Sequence, residues 1–148
     1  MTVSASTLVR RAALPAAAEQ IPFGLPTEPL PTKERHRSVG SQLPQYGFEN
    51  WGDIQTQRQQ FALAILVKWT RKAQEQIISF YTDDLHKEAI SAYLAIIFSK
   101  VVQYSSSLVT WTNSREQLRD TYAEFNLSMT WDFVEVVPTH YGGGGYLA

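Results

Sequence analysis

Proline sets the first limit on this fold: six of the seven prolines (Pro15, Pro22, Pro26, Pro29, Pro31, Pro44) lie before residue 45, and none follows until Pro138. Proline fixes its own φ, lacks an N–H and biases the residue before it away from the helix. Long helices are therefore confined to the stretch between Pro44 and Pro138. The chain before it is expected to be a leader over 1–20 without fixed structure and an extended Pro-rich arm over 21–50. Lys33, Arg35 and Arg37 form a basic knot in that arm, read either as a linker surface or as a phosphate or partner contact.

The Pro-free stretch has helical signals. Thr56 and Gln59 stand at capping-box spacing, in which the hydroxyl accepts the N3 amide and the Gln side chain returns to the cap. Phe61, Ile65, Trp69, Ala73 and Ile77 recur every four residues after it, which predicts a helix over about 56–81 with that row facing inward. Asp83 and Asp84 suit the N-terminus of a second helix over about 84–104. Its row Ile90, Tyr93, Leu94, Ile97, Phe98, Val101 and Val102 is the clearest periodicity in the chain. Ser105 to Ser107 and Thr110 weaken the helix beyond it. Ser114 and Gln117 predict a third helix over about 114–125, with Leu118, Tyr122 and Phe125 inward.

The fold expected is thus mainly α, a three-helix unit within a helical domain over 51–138, whose antiparallel helices bury their stripes together. At about 1.5–3 kcal/mol per fully buried large side chain, such a core outweighs any one polar contact. Met129 to Val137 fits a strand by its alternation and a helical turn by Trp131, Val134 and Glu135; a short helix is the reading taken. Residues 139–148, with Gly142 to Gly145, are expected to be a flexible Gly-rich tail.

Composition excludes several functions. Thirteen Lys and Arg against fourteen Asp and Glu leave a net charge of −1, so there is no global positive field for nucleic acid, and phosphate contacts must be local. The absence of cysteine removes disulfides, thiolate zinc sites and cysteine nucleophiles, and suits a cytoplasmic location. Arg10 and Arg11 precede only a short Pro-interrupted alanine run, too weak for a secretory h-region, and no segment has the ~20 apolar residues a bilayer requires. His36, His86 and His140 are scattered, so no metal site is expected. Asp132 and Glu135 share a helical spacing, but capping or ion pairing is the simpler role. Trp51, Trp69, Trp111 and Trp131 offer base-stacking surfaces, with Trp69 read as core.

Four segments in register carry a family resemblance. Tyr46-Gly47-Phe48, Trp51-Gly52-Asp53-Ile54 and Thr56-Gln57-Arg58-Gln59 read like YGxxxWGDLFTxRQ, the internal signature of the large adenine-specific DNA methylases described as containing a zinc ribbon. Ser107-Leu108 to Trp111, Arg115-Glu116, and Met129 through Val136 continue the similarity in order, and Gly24 to Pro31 resembles the lead-in. It extends over about residues 22–146.

The resemblance implies transfer of a methyl group from S-adenosylmethionine to the exocyclic amine of adenine. It also implies a Gly-rich FxGGG-type cofactor loop before this region and a DPPY-type loop after it, whose polar groups accept from the target amine while its ring stacks on a flipped base. Neither loop occurs in this chain. Val137-Pro138-Thr139-His140 departs from the NPF that family members carry there, and Gly142 to Gly145 has no following helix to form a phosphate cradle. No catalytic and no cofactor-binding residue is therefore assigned. The chain is expected to be inactive alone, a fragment or split-enzyme component that docks on the catalytic remainder of a methyltransferase. Arg58, Gln59, Lys68, Arg71 and Lys72 are candidate contacts to DNA or to that partner. For Arg58 and Gln59, an ion pair with Asp53 and completion of the cap are the competing roles. The alternative is an independent helical protein-interaction module.

Overall fold

The computed structural model describes residues 17–19, 21, 24–31, 42–123 and 126–139. It is mainly helical, with two long helices and a small two-stranded sheet. The basic knot at Lys33, Arg35 and Arg37, His36, His140 and the glycine run lie outside the described residues.

Two 3-10 turns, Leu43–Tyr46 and Trp51–Ile54, precede the helices. Pro44 favours the start of the first, and Gly47 ends it at φ 88°, a left-handed conformation that glycine adopts without penalty. The Asp53 carboxylate accepts from the backbone N–H of Glu49 at 2.9 Å and of Asn50 at 2.7 Å, which holds the second turn. Helix α1 spans Gln57–Phe80, and the expected capping box closes it: Gln59 N–H donates to Thr56 Oγ1 at 3.2 Å and Thr56 N–H donates to Gln59 Oε1 at 2.8 Å. Helix α2 spans Asp84–Gln103, and Leu85 N–H donates to the Asp83 carboxylate at 3.1 Å. Three residues join the helices, which forces an antiparallel hairpin.

The helix expected over 114–125 does not form among the described residues. Strand β1, Thr110–Thr112, pairs antiparallel with β2, Gln117–Arg119, with Trp111 opposite Leu118. Asn113 to Glu116 make the turn between them, and Glu116 sits at φ 49°. Two threonines around a tryptophan favour a pleated strand over a helix. The Ser114 and Gln117 that mimic a capping box fall instead at the turn and at the start of β2. The short helix expected within 129–137 is also absent; this stretch is irregular, and Val134 N–H donates to Val109 O at 2.9 Å.

The core lies in a body below the hairpin. Leu30, Leu43, Ile54, Leu108 and Leu127 cluster there, with Phe48, Trp51 and Met129 against them. The Pro-rich segment contributes directly, since Leu30 is only 1% exposed. It runs beside the second 3-10 turn: Leu30 N–H donates to Glu49 O, Trp51 N–H to Glu28 O and Gly52 N–H to Pro26 O, at 2.8–3.1 Å. Gly52 is required by that approach, because a Cβ there would stand 2.5 Å from Pro26 O. Ser105 to Ser107 end α2 as expected of serines. Ser105 Oγ bonds back to Val101 O at 2.8 Å, and Ser107 donates from both N–H and Oγ to Ile54 O.

Only the base of the hairpin joins this core. Within α1 the buried residues are Gln59, Leu63 and Ala64, and within α2 only Val101 is buried. The rows expected to be core are mostly half-buried, at Phe61, Ile65, Ala73 and Ile77 on α1 and Ile90, Leu94, Phe98 and Val102 on α2, and they open at particular members. Trp69 is 54% exposed and Tyr93 68%, and Ile97 is exposed as well. The physical reason is the missing third helix, for two helices alone cannot enclose the flanks of their own apolar rows.

Truncating Ile54 to Ala is expected to cost about 2–5 kcal/mol in urea unfolding, whereas Ile78→Ala on the hairpin should stay within about 0.5 kcal/mol. Gly52→Ala should cost about 1–3 kcal/mol through the clash with Pro26 O.

Candidate functional site

The two aromatic, acidic stretches that stand about seventy residues apart in sequence meet in space. Tyr46 and Trp131 pack edge to face with ring centroids 5.5 Å apart. Phe48 and Trp51 from the first stretch and Met129 from the second lie against one apolar cluster. Arg58, at the start of α1, forms a two-point ion pair with Glu135, with Arg58 Nε 2.9 Å from Glu135 Oε1. Trp51 also packs against Tyr122 at 6.5 Å, and burial raises the phenol of Tyr122 above its ordinary pKa.

The candidate contact residues separate into two groups. Arg58 pairs with Glu135 rather than with Asp53, whose carboxylate is already engaged by the backbone of Glu49 and Asn50. Gln59 is 5% exposed and occupied in the capping box. Its Oε1 is engaged at the cap, and its Nε2 is buried without a hydrogen-bond partner among the described residues. Lys68, Arg71 and Lys72 remain together on α1. The ammonium groups of Lys68 and Lys72 stand 5.8 and 5.0 Å from the ring centre of Trp69, so that one exposed indole is flanked by two cations.

A groove of about 1100 Å³ opens beside the β-hairpin, lined by Tyr104, Trp111, Arg115, Arg119, Val134 and Val136 among others. Sequence reading did not single it out, because it depends on the strand pair that replaces the expected helix. Trp111, weighed as a stacking surface, is on its wall and half-exposed. Val134, Val136 and Val137, just before Pro138, also line it.

The chemistry of these places is modest. Among the described residues no three His, Asp or Glu side chains gather as metal ligands, and no helix is long and apolar enough to cross a membrane. The shifted carboxylates belong to the hairpin tip. Asp83 is held below the ordinary carboxylate range first by the His86 side chain, then by the Leu85 amide; Lys87 does the same for Asp84. Comparison with family models, with curated proteins and with solved structures finds no match.

Replacing Thr56 with Ala should cost about 1 kcal/mol through loss of the cap. In a double-mutant cycle, Arg58→Ala and Glu135→Ala should couple by no more than about 1 kcal/mol, as expected of a pair in which Arg58 is largely solvated. Asp83 and Asp84 have depressed folded pKa values, so what they add to the tip is present above the unfolded pKa and is lost as pH falls through the folded one. Acid titration of helicity, in Asp83→Asn against the parent chain, should show less loss below about pH 4 in the variant.

Proposed function

We propose that this chain supplies the scaffold of an adenine-specific DNA methyltransferase, docking on a catalytic remainder that holds S-adenosylmethionine and the target base. One observation carries the reading. The segments that bear the family resemblance, Gly24 to Pro31, Tyr46 to Gln59, Ser107 to Trp111 and Met129 to Val136, come together around one core, although they are dispersed over a hundred residues.

In this reading the body is structural and the chemistry belongs to the partner. The open groove along Val134 and Val136 is the docking face for the remainder, since the chain there leads to Pro138, where family members go on towards their DPPY-type loop. Lys68, Arg71 and Lys72 are the DNA-facing cations, acting locally in a chain of nearly zero net charge. Trp69 between the two lysines adds a stacking surface.

Calorimetric titration with S-adenosylmethionine should give no heat of binding for the chain alone. Labelled methyl transfer to DNA should appear only when polypeptides bearing the FxGGG-type and DPPY-type loops are supplied in trans. Transfer by the chain alone, or no gain on adding both halves, overturns the reading. The triple variant Lys68→Gln, Arg71→Gln, Lys72→Gln should lower DNA affinity for all sequences alike and reduce the salt slope by about 3.

A second reading, an independent helical interaction module, draws on the exposed hairpin. Translation of the flanking DNA separates the two: both catalytic loops nearby favour the scaffold, and neither favours the module.

A further inference from the structure

The hairpin carries an apolar face that the body does not cover. Thr70, Ala73, Gln74 and Ile77 on α1 and Ile90, Ser91, Leu94 and Phe98 on α2 form half-buried rows, and Gln74 Nε2 donates to Ser91 Oγ at 3.0 Å between them. At 3.6 residues per turn, Trp69, Gln76 and Phe80 lie about a quarter-turn from that row on α1. Tyr93 and Ile97 lie about a quarter-turn from it on α2, and because the helices are antiparallel both rows fall on the same side of the hairpin. Phe80, Tyr81 and His86 continue this side across the tip, their rings in sequence at 5.3 and 6.4 Å. Ile96 and Leu85 extend it around the edge of α2. Phe80 is 80% exposed, Leu85 73% and Ile96 59%.

We propose that this face is the self-association surface of the chain, and that two copies pair through their hairpins in antiparallel sense to complete a four-helix bundle. Area is the first argument. The five exposed side chains Trp69, Phe80, Tyr81, Tyr93 and Ile97 present on the order of 600 Å² per copy, most of the ~800 Å² each partner contributes to a standard stable interface. Charge is the second. On this side the cations stand at the middle of the hairpin, where Lys68 and Lys72 flank the Trp69 ring. At the tip an acid stands on this side, where the Asp83 carboxylate lies against His86. Antiparallel pairing sets the acidic tip of each copy against the basic middle of the other; parallel pairing sets like against like. The hairpin is its own complement in only one of the two senses. This inference does not rest on the methyltransferase reading.

Sedimentation equilibrium of the full chain across a concentration series tests it. A reversible species at twice the 16.7 kDa chain mass is expected, weakening as salt screens the tip-to-middle attraction. Tyr93→Glu with Ile97→Glu should weaken dimerisation at least about 30-fold and leave the urea midpoint of the monomer unchanged, since both positions are solvent-exposed. The cysteine-free chain allows the sense to be read. Oxidation of Ile97→Cys mixed with His86→Cys should give a heterologous crosslink, and Ile97→Cys alone should give none. A monomer at all concentrations, a dimer indifferent to the double Glu variant, or self-crosslinking of Ile97→Cys would overturn the proposal. The scaffold reading stands or falls separately, on complementation in trans.

Discussion

The carbonyl oxygen of Ile54 is the point on which the rest depends. It receives both the N–H and the Oγ of Ser107, at 2.8 and 2.9 Å, and so joins the turn that launches α1 to the turn that ends α2. Ile54 itself is buried among Leu30, Leu43, Leu108 and Leu127. Both feet of the hairpin are thereby fixed to one core, and the strands that follow are placed by the same knot. Ser106 and Thr121 exchange a 2.6 Å hydroxyl bond, while Thr121 donates twice to Gln103 O, so the chain after β2 is tied back to the end of α2.

This arrangement divides the molecule by energetics. The body gathers Leu30, Leu43, Ile54, Leu108 and Leu127 into one buried cluster and ties distant segments together by backbone hydrogen bonds, while Tyr46, Trp111 and Trp131 keep much of their surface exposed. The hairpin is anchored at its base and held by one row of contacts and its caps; its remaining apolar surface is unspent. The proposed self-pairing would draw on that surface, as exposed apolar patches of this size do where they mark interaction sites. The cations around Trp69 stand at the margin of that face, so protein pairing and DNA contact would draw on neighbouring parts of the same helix.

How much was legible follows from range. The two helices, the Thr56 and Gln59 box and the Asp83 cap are short-range matters of periodicity and capping, and they form where the pattern says. The error over 114–125 was also one of local signals: Ser114 and Gln117 have capping-box spacing, but the pairing of Thr110 to Thr112 with Gln117 to Arg119 brings in a partner strand that a single window does not contain. Trp69 misled for a related reason. Its periodicity marks a flank of an apolar row, and whether a flank is covered depends on a third element.

By itself the sequence determined where helices could run, through the placement of proline, and where they begin, through their caps, because both effects act within four residues. It also excluded thiolate chemistry outright. Only the tertiary structure decided that Tyr46 to Arg58 and Met129 to Pro138 share one core, that Arg58 pairs with Glu135 across 77 positions, and that the hairpin's apolar face remains open. Those outcomes depend on contacts between residues far apart in the chain, and competition among such contacts is settled by packing rather than by local preference.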